Sequence, residues 1–244
     1  MNLVIDIGNS QTKVAVFDAG EIVQIICMEA LTVARLDDLR KSYPGFKDAI
    51  LSSVADVEPG LLEVLTKEFG YFIEFNHQTT VPIENRYKSG ETLGLDRLAA
   101  AVGGITLFPG SALLVIDAGT AITFDLIDCN NRFLGGNISP GLETRFRALH
   151  KFTKKLPKIA RDEQWPLIGQ TTEEAIRAGV QNGIIFEIDG MIDYTRNIWP
   201  DCKVILTGGD SFFFDKKLKN TIFVKFEITL IGLNRILEYN SEKN

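Results

Sequence analysis

The chain has 244 residues, 45% of them hydrophobic and 24% charged, with a net charge of −6 at neutral pH and three cysteines. That length suits one large domain or two of about 120 residues, each with a full core. The acidic balance, with a pI near 5.1, excludes nucleic acid as the main partner, because a phosphate backbone needs a basic face.

The opening run Leu3-Val4-Ile5-Asp6-Ile7-Gly8-Asn9-Ser10-Gln11-Thr12-Lys13-Val14-Ala15-Val16-Phe17-Asp18 interrupts an apolar stretch with a short polar turn. It predicts strand, tight turn, strand. No basic segment followed by an apolar core precedes it, so no secretory leader is expected and the chain reads as cytoplasmic. A third strand at 21–28 completes a meander. A helix at 32–41, for which Thr32 is the N-cap candidate, is followed by a strand at 49–54, a helix at 59–69 and a strand at 71–75. A meander followed by alternating helices and strands predicts a mixed sheet. Neither Gly-x-Gly-x-x-Gly nor Gly-x-x-x-x-Gly-Lys-[Ser/Thr] occurs, which argues against a Rossmann or P-loop nucleotide site.

Residues 76–93 form a polar loop carrying Asn85, Tyr87 and Lys88. The loop leads to Gly94-Leu95-Asp96-Arg97 at the start of a helix. An acid in that first turn stabilises the helix end by about 0.5–2 kcal/mol. The same helix terminus keeps a carboxylate ionised and ready to accept a proton. Position alone leaves both readings of Asp96 open. Residues 99–116 are uncharged, but Pro109-Gly110-Ser111 divides them into helix end, turn and buried strand, so no membrane span is expected.

The strand–turn–strand pattern returns in Leu113-Leu114-Val115-Ile116-Asp117-Ala118-Gly119-Thr120-Ala121-Ile122-Thr123-Phe124-Asp125, 111 positions after the first. Asp6, Gly8 and Asp18 read against Asp117, Gly119 and Asp125. A repeat at that distance predicts two related half-molecules, 1–111 and 112–244. A carboxylate at the end of a buried strand suits a hydrated Mg²⁺, which needs only one or two protein oxygens. The following glycine lets backbone approach a ligand, and the Asn9-Ser10 and Thr120-Ala121 turns aim N–H groups and hydroxyls at phosphate oxygens. Two such hairpins facing each other would grip a polyphosphate from both sides. One Asp-x-Gly-[Asn/Thr] alone is an ordinary hairpin turn; the duplication favours the nucleotide reading.

Segment 132–141 holds three glycines and a proline and opens a helix with the basic residues Arg145, Arg147, Lys151, Lys154, Lys155, Lys158 and Arg161. Thr171 or Thr172 caps a long helix to about residue 198. Its apolar residues cover more than one stripe, so it is expected to be buried on two sides, for which a homodimer interface is one solution. The strand before Thr207-Gly208-Gly209-Asp210 ends in a turn where the glycines serve either turn geometry or an adenine or ribose. Leu230, Leu233, Ile236 and Leu237 mark a closing helix. Cys27, Cys129 and Cys202 form no Cys-x-x-Cys pair and are expected as free, buried thiols. His77 and His150 stand isolated.

In order, the two hairpins, Gly-Leu-Asp-Arg, Gly-Gly-Asn-Ile-Ser-Pro-Gly and Leu-Thr-Gly-Gly resemble the type III pantothenate kinases of the acetate and sugar kinase/actin superfamily, from Asp6 to Leu233. The resemblance implies an α/β fold of two related ribonuclease H-like, actin-like lobes, each a mixed sheet flanked by helices, with a nucleotide cleft between them. It implies a homodimeric enzyme that phosphorylates the 4′-hydroxyl of pantothenate with ATP, the first step toward coenzyme A, using Mg²⁺ and a monovalent cation, K⁺ or NH₄⁺. By match, Asp6, Ile7, Gly8, Asn9, Ser10, Gln11, Thr12 and Lys13 form the first phosphate loop, with Asp6 also at Mg²⁺. Thr120 would contact ATP and Asp117 would hold the monovalent cation. Tyr87, Gly94, Leu95, Asp96 and Arg97 would line the pantothenate pocket, with Asp96 as proton acceptor, and Thr172 would reach it from the partner subunit. Ser10 stands where the family usually has Thr, and Gly90 where Pro is common. The reading from another class is a non-metabolic actin-like ATPase or a regulatory relative without turnover. Retention of Asp6, Asp96, Asp117, Thr120 and Thr172 together argues against it.

Overall fold

The predicted N-terminal meander is β1 (Asn2–Ile7), β2 (Thr12–Asp18) and β3 (Glu21–Met28), in a computed structural model that describes residues 1–8 and 11–243. Helix α1 (Val33–Ser42) begins at Thr32, whose hydroxyl accepts the Arg35 N–H at 3.3 Å. Then come β4 (Asp48–Ser53), α2 (Leu61–Glu68), β5 (Tyr71–Glu74), the two-residue β6 (Glu84–Asn85), a 3₁₀ turn at Gly90–Thr92 and α3 (Leu95–Leu107). The sheet runs β3-β2-β1-β4-β5, antiparallel within the meander and parallel beyond it. Leu3, Ile5, Val14, Leu36, Leu51, Leu61 and Leu65 fill the core on one face. Val4 and Ile50, on the other face, are also fully buried. Burial on both faces is why these strands read as continuous apolar runs.

The C-terminal helix α7 (Ile228–Ser241) packs against β1, β4 and α3. Its approach to α3 is backbone to backbone. A Cβ on Gly103 would overlap the Ile228 carbonyl, and one on Gly232 would overlap the Ala99 carbonyl. This docking assigns α7 to the first compact unit, Met1–Leu107 with Glu227–Asn244; the second is Phe108–Phe226. The division read at 111/112 followed chain order, whereas this grouping follows packing.

In the second unit, β7 (Leu113–Ala118), β8 (Ala121–Ile127) and β9 (Arg132–Pro140) repeat the meander, and β10 (Lys203–Thr207) and β11 (Phe223–Val224) add parallel strands beside β7. The order β9-β8-β7-β10-β11 reproduces that of the first unit. Three helices belong here: α4 (Leu142–Phe152), α5 (Thr172–Ile198) and α6 (Ser211–Asp215). Leu114, Ile116, Phe124, Phe146, Ile184, Ile188, Val204 and Phe214 form the core.

Register corrects one pairing of the repeat. Asp6 faces Lys13 in the first hairpin, and Asp117 faces Thr123 in the second, whose turn is one residue shorter. Asp125 faces Val115, so it stands where Ala15 stands in the first copy. The counterpart of Asp18 is Asp128, which follows β8 and is anchored by Arg132 at 2.6 Å. A second correction concerns the thiols: Cys202 is buried, but Cys27 and Cys129 are exposed. Cys27 lies on edge strand β3, which has one free flank. Helix α5 buries one stripe, Ile176, Val180, Ile184, Ile188 and Ile192, while Phe186, Tyr194 and Ile198 are exposed. Among the described residues no helix is long and apolar enough to cross a membrane.

Candidate active site

In the first unit the end of β1 brings three predicted residues together. Asp6 is partly buried opposite Lys13. Burial pushes its carboxyl up to about 6, Lys13 works against that, and the nearby Asp96 carboxylate adds to it. The turn is closed by the Gly8 N–H on the Gln11 carbonyl at 3.1 Å. Thr12 is buried and its hydroxyl donates to the Glu29 carbonyl at 3.5 Å. Ile7 is core, while Asn9 and Ser10 lie outside the described residues.

Asp96 is the second residue of α3 and is exposed. Its Oδ1 accepts the Arg97 N–H at 2.8 Å. A Cβ on Gly94 would stand 2.5 Å from that same oxygen, and the Gly94 carbonyl accepts the Leu98 N–H at 3.1 Å. Gly-Leu-Asp thus has a steric reason: glycine leaves room for the carboxylate to fold back over the helix start. Arg97 is buried, with its guanidinium 5.8 Å from the Tyr87 ring centre, within cation–π range. Leu95 opens the helix. Gly90, the departure from the family pattern, starts the 3₁₀ turn, which Thr92 pins by donating to the Ser89 carbonyl at 2.9 Å.

A partly buried carboxylate in the field of a second one is a charge arrangement that a divalent cation relieves. Among the described residues no cluster of three or more His, Cys, Asp or Glu offers a protein-only metal cage. Asp6, with the Asp96 charge nearby, fits a hydrated Mg²⁺, which needs only one or two protein carboxylates.

In the second unit Asp117 ends β7, and Gly208 lies directly against it. Gly208 has φ +90°, and a Cβ there would overlap Asp117 Oδ1 and the Ala118 carbonyl. Both features demand glycine. The chain then folds back, with the Asp210 N–H on the Ala118 carbonyl at 2.9 Å. Burial raises the Asp210 carboxyl, partly offset by Arg161 at 2.9 Å. Thr120 is exposed, and its carbonyl accepts the Gly141 N–H at 3.0 Å and the Thr144 hydroxyl at 2.8 Å. Thr172 is the first residue of α5, just after the cap Thr171. It lines a mostly apolar cavity of about 750 Å³ with Pro140, Thr144, Leu156, Ile176 and Val180.

The basic stretch divides. Arg145 and Arg161 are engaged in structural contacts, with Glu187 and Asp210, while Lys151, Lys154, Lys155 and Lys158 are exposed. Sequence reading did not single out Thr144, and it named Arg145 and Asp210 without their partners, because the partners are 24, 42 and 49 residues away.

Two copies of one strand order, each with an aspartate at the tip of its first hairpin strand, define the actin-like ATPase and sugar kinase class of α/β proteins. Solved structures with this fold include a Baf family transcriptional activator from Campylobacter jejuni (TM-score 0.63, 22% identity, 98% of this chain and 99% of that one). Another is the activator of the 2-hydroxyisocaproyl-CoA dehydratase from Clostridium difficile with bound ADPNP (TM-score 0.54, 13% identity, 99% and 96% covered). Within that class, residues 2–194 match the type III pantothenate kinase family model. The type III pantothenate kinase of Phocaeicola vulgatus is 47% identical over 242 residues, covering 99% of this chain and 100% of its own. Those of Bacteroides fragilis (44% identical; 99% of both chains) and Cytophaga hutchinsonii (43% identical; 98% and 100%) are similar over the same extent. The chain belongs to the type III pantothenate kinase family.

Proposed function

We infer that the chain transfers the γ-phosphoryl group of ATP to the 4′-hydroxyl of pantothenate, opening coenzyme A synthesis in the cytoplasm. The observation that carries this reading is the grouping of exposed Asp96 with partly buried Asp6 and its neighbour Lys13, in a chain of this family. Asp96 accepts the proton of the attacking hydroxyl. The Arg97 N–H donates to the Asp96 Oδ1, which seats the carboxylate at the start of α3. Arg97 and Tyr87, with Gly94 and Leu95, orient pantothenate. Asp6 to Lys13 and Thr120 hold the ATP phosphates, and Lys13 adds positive charge where phosphate charge accumulates. Asp6 would hold Mg²⁺, which supplies charge neutralisation of the polyphosphate. Asp117, with Gly208 folded against it, would hold K⁺ or NH₄⁺. The exposed Phe186, Tyr194 and Ile198 of α5 support a homodimer in which Thr172 serves the partner subunit's pantothenate.

A coupled ADP-release assay tests the reading. Pantothenate should stimulate release, more in K⁺ than in Na⁺; pantothenate-independent hydrolysis would identify an ATPase instead. Asp96→Asn should lower turnover by about 10²–10⁴-fold, the usual worth of a general base, while a non-hydrolysable ATP analogue still binds. Near-normal turnover in that variant removes Asp96 from the role.

A further inference from the structure

The turn of the second hairpin is held from behind by the junction of β9 and α4. The Thr120 carbonyl receives two hydrogen bonds, from the Gly141 N–H at 3.0 Å and from the Thr144 hydroxyl at 2.8 Å, which uses both acceptor positions of that oxygen. Gly141 lies so close that a Cβ would overlap the Gly119 carbonyl. The junction is fixed in turn by Arg145. Its Nε donates to the Pro140 carbonyl at 2.7 Å, its guanidinium donates to the Ser139 hydroxyl at 3.2 Å, and it forms an ion pair with Glu187 of α5.

We propose that Thr144 is a positioning residue for phosphoryl transfer, its hydroxyl setting the orientation of the Gly119–Thr120–Ala121 turn, with the Arg145–Glu187 pair anchoring this brace to α5. The inference rests on the reading that Thr120 contacts ATP. Its physical basis is the planarity of the peptide unit. A trans peptide carries its C=O and the next N–H in opposite directions, so tying the Thr120 carbonyl toward α4 directs the Ala121 N–H away from α4. Without the hydroxyl, the Thr120 carbonyl would keep one of its two donors, the Gly141 N–H. The turn would then sample orientations whose donors miss the phosphates, and nucleotide binding would bear the ordering cost.

The test is Thr144→Val, which keeps the shape and removes the donor, with Thr144→Ser as rescue. Calorimetry with a non-hydrolysable ATP analogue should show affinity weakened about two- to twelve-fold in the valine variant, the scale of one hydrogen bond. KM for ATP should rise by the same factor, KM for pantothenate should stay at its wild-type value, and serine should restore both ATP readouts. Unchanged analogue affinity in Thr144→Val overturns the proposal, as does an equal loss for both substrates that serine fails to rescue. Should the valine variant not fold, Arg145→Lys, which keeps the charge but loses the forked contacts, must weaken the analogue selectively. Thr120→Val and Asp117→Ala separate the two levels. If neither alters analogue binding, the placement of ATP on this turn fails and the brace with it. If they weaken it while Thr144→Val does not, the brace alone fails.

Discussion

Asp6→Asn should cost the enzyme its activity and make the fold more stable. Burial holds the Asp6 carboxyl at about 6 instead of 3.8, with Asp96 adding to the effect and Lys13 opposing it. Ionising it in the folded protein therefore costs about 3 kcal/mol more than in the unfolded chain, at 1.36 kcal/mol per unit of pKa. The folded state binds this proton more tightly than the unfolded state. The cost is therefore absent below about pH 4, grows as pH rises, and stands in full above about pH 6. Asparagine carries no such cost. The variant should exceed the wild type by roughly half of that amount at pH 5 and by nearly all of it at pH 8. For a chain of this size that gap corresponds to about 6–12 °C in thermal midpoint at pH 8.

Circular dichroism melts of both proteins from pH 5 to pH 8 would read the gap directly. Equal midpoints at pH 8, or a gap that shrinks as pH rises, would refute the reasoning. A second readout follows from the same charge. Binding of a non-hydrolysable ATP analogue with Mg²⁺ at pH 6 should release about half a proton from the wild type, seen as a dependence of binding enthalpy on buffer ionisation. The Asn variant should release none from this position.

Gly94→Ala should push the Asp96 carboxylate off its seat and lower kcat about tenfold with KM for ATP unchanged; steady-state kinetics that match the wild type would show that the carboxylate has other room. Gly232→Val places a side chain against the Ala99 carbonyl and should destabilise the first unit by about 1–3 kcal/mol or more, read as a lowered urea midpoint. Thr195 is fully buried and its hydroxyl has no hydrogen-bond partner among the described residues. Thr195→Val should therefore raise stability by about 1 kcal/mol, and a lowered midpoint would mean the hydroxyl is satisfied in solution.

The two hairpins were legible because each couples an apolar strand to an acid and a glycine at its end, a local pattern that needs no tertiary information. The α5 start was legible for a similar reason, since Thr171 accepts the Glu174 N–H at 3.2 Å. Strand β9 was less visible as a strand. Gly135, Gly136 and Pro140 depress strand propensity, yet Gly136 is required there because a Cβ would overlap the Phe124 carbonyl on β8. The match of Asp18 to Asp125 failed because it paired acids by residue type, and only strand register shows that Asp125 stands at the position of Ala15 and Asp128 at that of Asp18. Gly208 remained ambiguous in sequence for want of its partner. The structure supplies Asp117, about ninety residues away, whose carboxylate leaves no room for a Cβ at this left-handed position.

The duplicated scaffold also gives the two equivalent aspartates different surroundings. Asp6 has Lys13 across the strand and Asp96 nearby, so its surroundings carry whole charges of both signs. That environment suits a strongly hydrated divalent ion bridged to phosphate. Asp117 has the neutral Thr123 across the strand and Gly208 folded against its Oδ1. The residue facing Asp117 thus carries no charge, unlike the one facing Asp6, and this contrast supports the proposal of a monovalent cation there. The divergence lies in the residue facing each aspartate and in one residue of turn length, while the strand order is unchanged. Exchanging the facing residues, Lys13→Thr with Thr123→Lys, should therefore abolish activation by K⁺ and weaken nucleotide binding without unfolding either sheet, and retained K⁺ activation would show that the cation is chosen elsewhere.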